Sequence, residues 1–138
     1  MPVLWETRFE TGDHRIDDQH KRLFEFVNKL ENVIAAPAIK ADEVDDIVSF
    51  LSTYVLIHFV CEESAMMARR CAIAERNKEA HKKFLAFFGD FKTRYAQRGA
   101  DRALLQELCN AANQWLVNHI CRIDVQLREA IHNQHQFA

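Results

Sequence analysis

Four histidines and two acids fall at helical spacing on stripes that are otherwise apolar: His20, His58 with Glu62, His81, and His119 with Asp124. The position one turn before His81, where a further ligand would complete the set, holds Asn77. Imidazoles and carboxylates are costly to bury unless something compensates them, and a metal ion does so best. Recurring once per predicted helix, these residues point to a metal site inside a bundle of four helices.

The helices themselves follow from apolar periodicity. Residues 1 to about 15 read as an irregular arm anchored by Trp5 and Phe9. Asp17 or Asp18 is the expected cap of a first helix that stops near Ala36, before Pro37. Its stripe is Ile16, Leu23, Val27, Leu30 and Ile34, and His20 fills the one gap in the three-four rhythm. A second helix over about 42–70 carries Ile47, Leu51, Tyr54, His58, Cys61 or Glu62, and Ala65. A third, about 74–98, aligns Asn77, His81, Phe84, Phe88 and Phe91. Gly99 separates it from a fourth, about 101–133, with Leu105, Leu108, Ala112, Trp115 or Leu116, His119, Ile123 and Leu127 in line, and a polar tail that frays. Short connections between long amphipathic helices imply an all-α fold, an antiparallel up-down-up-down four-helix bundle with an irregular N-terminal arm, forming a single domain over 1–138. Three Gly and two Pro leave little material for the many turns of an all-β fold.

A net charge of −2 gives no electrostatic footprint for nucleic acid or an anionic membrane. The amino terminus lacks the basic and apolar regions of a signal peptide, and no apolar run is read as approaching the roughly 20 residues that span a bilayer. The expectation is a cytoplasmic monomer with no membrane or nucleic-acid partner. Cys61, Cys71, Cys109 and Cys121 form no CxxC pair and are expected as reduced fillers.

His58 and Glu62, four apart, share one helix face, as do Asn77 and His81. His119 and Asp124 are five apart, about 140° around an α-helix, and reach a common centre only if it lies over the arc between them. Taken singly each residue has a plainer role. A lone inward His is usually a hydrogen-bonded core residue, and Glu62 could pair with Arg69 or Lys78 at the surface. Their joint occurrence favours a metal. His14, His132 and His135 lie off the stripes and are expected at the surface, His14 close to the mouth of the site.

The residues Trp5, Thr11-Gly12, Ile16-Asp17-Asp18-Gln19-His20, Leu23-Phe24, Asn28, His58-Phe59, Glu62-Glu63, Met67, Asn77, His81, Phe84, Trp115-Leu116, His119-Ile120 and Asp124 resemble, in order and spacing, the hemerythrins, and among them bacterial single-domain members. The resemblance implies two oxo- or hydroxo-bridged non-heme iron ions that bind dioxygen reversibly. It implies that His20 and His58 bind the iron that takes up dioxygen, that Asn77, His81 and His119 occupy the nitrogen-ligand slots of the other, and that Glu62 and Asp124 bridge both.

The chain departs from the family pattern at Asn77, where a His is expected. An amide oxygen is a shorter-reaching and weak iron ligand, so water or a weak amide contact is expected there, with reduced occupancy of the second iron as the alternative. An open position on that iron should admit exogenous ligands and speed its oxidation. Cys61 or Cys121 as a soft replacement lies off its neighbour's face. Residues 68–76, ARRCAIAER, also lack an aromatic and a Pro common in the family, which predicts a more helical or looser turn there. The expected function is oxygen storage, delivery or sensing without enzymatic turnover. The alternatives are an oxidase- or peroxidase-like or nitric-oxide-reactive di-iron enzyme, or a metal-poor signalling module.

Overall fold

Four long antiparallel helices form the bundle in the computed structural model, which describes the backbone of residues 2–136 and side chains through residue 133. They are α1 (His14–Ala35), α2 (Ala41–Ala68), α3 (Ala74–Arg98) and α4 (Arg102–His119). A π turn at Ile120–Asp124 joins α4 to α5 (Gln126–Gln136). Helix α1 packs on α2 and α4, and both of these pack on α3, which closes the up-down-up-down ring. The tail expected to fray is helical through Gln136; the side chain of His135 lies outside the described residues.

The N-terminal arm is tied down rather than wholly irregular. It contains a 3-10 turn at Thr7–Phe9, and Phe9 is buried against Trp5 and Phe24. The Val3 N–H donates to Asn28 Oδ1, and Asn28 Nδ2 donates back to the Val3 carbonyl, both at 3.0 Å. The cap of α1 is Asp13, not Asp17 or Asp18: its carboxylate accepts from the Arg15 and Ile16 amides. Asp17 is buried instead, accepting from the Thr11 amide and hydroxyl at 2.9 and 2.8 Å. These bonds fix the arm onto the end of the bundle that carries the polar cluster.

Helix α3 has the predicted bounds, and its predicted stripe is buried throughout. In α2 the buried line runs through Val55 and Met66, while Tyr54 and Ala65 are only half-buried. Phe84, Phe88, Phe91, Leu30, Leu104 and Leu108 fill the half of the bundle away from the cluster. At that end Arg102 donates to the Ile34, Ala36 and Pro37 carbonyls, closing the open C-terminus of α1.

Helix α2 is long and apolar enough, by length and composition, to cross a membrane, which corrects the reading that no segment approaches that length. In the fold its inner face carries His58, Glu62 and the apolar core residues, while Leu56, Ile57, Val60 and Met67 stand on its exposed side.

The turn after α2 is neither helical nor loose. The Cys71 amide donates to the Met66 carbonyl and the Arg70 amide to Met67, a Schellman pair, with Cys71 packed in the same cluster as Met66. The pair requires a left-handed residue, and Arg70 supplies it at φ 52° where glycine would do so without steric penalty. Arg70→Gly is therefore expected to stabilise the protein by about 1 kcal/mol. An unchanged or lower denaturant midpoint would show that this φ carries no strain.

Candidate metal centre

Each helix delivers its polar residue by its own register. In α1, His20 takes the position the apolar rhythm assigns to the core and has no exposed surface. In α2, His58 and Glu62 sit one turn apart facing inward, 2% and 0% exposed. In α3, Asn77 and His81 do the same at 0% and 1%. In α4 the π turn solves the five-residue spacing. The Val125 amide bonds to the Ile120 carbonyl, an i→i+5 closure, so the extra residue turns Asp124 onto the face of His119. Both are buried, and the arc expected between them on a regular α-helix is absent.

Two carboxylates divide four imidazoles between them. Glu62 Oε2 lies 3.0 Å from His20 Nε2 and 3.3 Å from His58 Nε2. Its Oε1 lies 3.0 Å from His81 Nε2 and 3.7 Å from His119 Nε2. Asp124 repeats the division, with Oδ2 3.1 Å from His20 Nε2 and Oδ1 3.1 Å from His119 Nε2. Asn77 Oδ1 lies 2.8 Å from His119 Nε2. The donors therefore form two groups: His20 and His58 on one side, His81, His119 and Asn77 on the other, with both carboxylates facing each.

A second layer orients the rings. His58 Nδ1 donates to Gln19 Oε1 at 2.7 Å, and His81 Nδ1 to Glu63 Oε2 at 2.9 Å, which leaves the Nε2 of each free to act as a ligand. The His81 ring stacks on Phe59 at 3.7 Å, and His119 stacks on Trp115 at 4.3 Å. Gln19 and Glu63 are functional positions that helical periodicity missed. Their sequence signal is adjacency to His20 and Glu62 and a place in the stretches that carry the family resemblance.

The electrostatics describe a site that holds itself together through protons. Burial pushes the Glu62 carboxyl up, but the close imidazoles of His119, His20, His58 and His81 override it and hold it well below its ordinary value. Burial pulls His20 down, but Asp124 and Glu62 raise it to about 10. The same balance raises His119 to about 9. His58 goes the other way, lowered by burial more than Glu62 restores it.

The donor set fits a pair of metal ions. Glu62 Oε1, His81 Nε2 and both Asp124 carboxylate oxygens are buried without a well-formed hydrogen bond. Such groups are rare unless an unseen partner satisfies them. Octahedral bonds of about 2.1 Å place neighbouring ligand atoms roughly 3 Å apart, and the spacings above cluster there. Glu62, His81, His119 and Asp124 form one group able to hold an ion, and His20, His58 and Glu62 form a second that shares Glu62.

All the residues singled out in the sequence meet here, Asn77 included. The surface pairing considered for Glu62 is overturned by its burial among imidazoles. Cys61 and Cys121 are turned away, their sulfurs accepting from Arg15 at 3.2 Å and Arg8 at 3.6 Å. His14 and His132 are exposed, as expected.

Comparison with known proteins agrees with this arrangement. A family profile described as the hemerythrin HHE cation binding domain matches residues 11–131. The bacteriohemerythrin of Methylococcus capsulatus is 31% identical over 116 residues, covering 84% of this chain and 86% of that protein. The bacteriohemerythrin of Pseudomonas aeruginosa is 29% identical over 129 residues, covering 94% and 81%. A crystal structure of wild-type hemerythrin superposes with a TM-score of 0.80 at 27% identity, covering 94% of this chain and 98% of the other.

Proposed function

Since the chain belongs to the hemerythrin family, we propose that it holds two non-heme iron ions and binds dioxygen for storage, delivery or sensing. The observation that carries this reading is the division of the Glu62 and Asp124 oxygens between two histidine groups. A carboxylate whose two oxygens face different imidazole pairs is placed to bridge two ions and to hold their spacing.

In this reading His20 and His58 hold one iron, His81 and His119 hold the other, and Glu62 and Asp124 bridge them. When bound, the iron pair supplies the electrons for reversible dioxygen binding. The protein supplies orientation and exclusion of water. Gln19 and Glu63 fix two of the rings, and Phe59 and Trp115 wall the site with apolar surface. Beyond them lies an enclosed cavity of about 20 Å³ lined by Leu23, Val27, Phe84, Leu116 and other apolar side chains. A space this apolar stays dry and admits small nonpolar guests. Limiting water and protons in this way favours reversible binding over oxidation.

Asn77 favours a second reading. The group around His81 and His119 has two imidazoles and an amide where the resemblance implies three imidazoles, and an amide oxygen is a weaker iron ligand that an exogenous ligand can displace. That site would suit turnover of peroxide or nitric oxide, an oxidase- or peroxidase-like activity. Metal analysis with an anaerobic-to-aerobic absorption spectrum tests both. Two irons per chain and an oxygen-dependent band that reverses on deoxygenation support carriage. Irreversible oxidation with peroxide turnover above that of free iron supports the enzyme. Metal content near zero removes both.

A further inference from the structure

The two ligand groups are equal in imidazoles and carboxylate oxygens, and Asn77 alone makes them different. Each has two His Nε2 atoms and faces one oxygen of Glu62 and one of Asp124. Only the group on α3 and α4 gains another donor, Asn77 Oδ1, 2.8 Å from His119 Nε2. Asn77 has no exposed surface, and its Nδ2 has no hydrogen-bond partner among the described residues. What bears on a metal is the oxygen: Asn77 Oδ1 lies at the roughly 3 Å spacing that the other donor atoms of this group keep from one another.

We propose that Asn77 Oδ1 is a metal ligand that makes the His81–His119 site the harder of the two, so that it accepts manganese in place of iron more readily than the His20–His58 site does. The proposal rests on the di-metal reading above. Carbonyl and carboxylate oxygens suit hard ions such as Mn²⁺, whereas imidazole suits iron. With Asn77, the site offers three oxygens and two nitrogens. With a third imidazole it would offer two oxygens and three nitrogens. Intrinsic affinity rises from manganese to iron, so the effect of the amide is to narrow that gap at one site and leave the other unchanged.

The test loads metal-free protein anaerobically with equimolar Fe²⁺ and Mn²⁺, removes unbound metal, and measures both elements per chain with electron paramagnetic resonance of the product. The wild type is expected to retain measurable manganese below one per chain, with iron making up the rest, and the manganese-bearing fraction should give the signal of a coupled mixed pair. Asn77→His should lower the manganese-to-iron ratio by about tenfold, the lower end of what a change around a metal site produces. Asn77→Asp keeps an oxygen at the position and should keep the manganese. Equal ratios in wild type and Asn77→His overturn the proposal, as does an Asn77→Asp ratio that falls with Asn77→His. Total metal near zero in all three proteins overturns the di-metal reading itself, whereas two metals with an unchanged ratio overturn only the role given to Asn77.

Discussion

Replacing Glu62 by Gln should remove tight metal binding from both sites at once and unsettle the metal-free protein as well. Glu62 belongs to both ligand groups, with each oxygen about 3 Å from a histidine of a different group. The amide keeps the shape and loses the charge, so affinity at each site should fall by at least about 100-fold, the upper end of the losses seen around metal sites. In the metal-free protein, His20 and His119 would keep only Asp124 as a counter-charge. Breaking a buried charge network by removing one partner costs about 3–5 kcal/mol. Thermal melts of the metal-free variant and competition with a chelator read the two effects separately. Glu63→Gln is the control. Glu63 hydrogen-bonds to His81 from outside the ligand groups, so its loss should weaken one site while sparing the other. Two tightly held metals in Glu62→Gln would remove Glu62 from the bridging position.

Metal uptake should release protons, and its apparent affinity should rise steeply with pH up to about 9. His20, raised to about 10, and His119, raised to about 9, are protonated in the metal-free fold at neutral pH, and a metal must displace both protons. Each released proton steepens the apparent affinity by about tenfold per pH unit, so two give roughly 100-fold between pH 7 and 8. The stability of the metal-free protein follows the same groups with the signs fixed by linkage. The raised His20 and His119 contribute stability that is fully present below 6.5, their ordinary value, and lost as pH rises through about 9 to 10. The lowered Glu62 contributes stability present above 4.5 and lost as pH falls through its lower folded value. Dye-monitored proton release in weak buffer should approach two protons per chain at pH 7 and fall towards zero as pH rises past about 10. Uptake without proton release at pH 7 would mean that both imidazoles are neutral in the metal-free fold.

Much of the site was legible in the chain because its ligands sit at positions the core claims for apolar residues. His20 interrupts the line from Ile16 to Ile34, and the line through Asn77, His81, Phe84, Phe88 and Phe91 is buried as read. Periodicity did less well where the two sides of a helix are similarly apolar. Along α2 it favoured Tyr54 and Ala65 over Val55 and Met66, because Leu56, Ile57 and Val60 on the exposed side blur the stripe. The cap of α1 was misplaced because three Asp residues lie within six positions of one another, and only the fold shows that Thr11 engages Asp17 and leaves Asp13 to the helix.

Three features were decided by tertiary structure alone. The π turn at Ile120–Asp124 converts a spacing of five from a wide arc into a shared face, and one extra backbone residue per turn leaves no mark on composition. Arg70 in the left-handed region closes the turn where neither a Gly nor a Pro announces it. The division of each carboxylate between two histidine groups requires four helices to converge, and no one helix contains it. By itself the sequence determined the four-helix layout and the chemical type of each buried polar group, because burial cost acts residue by residue along a helix. It did not show that the fourth helix, read as continuous over about 101–133, is divided into α4 and α5. Which oxygen meets which nitrogen, and that Asn77 turns its amide oxygen to His119, depend on distances between helices, which only packing sets.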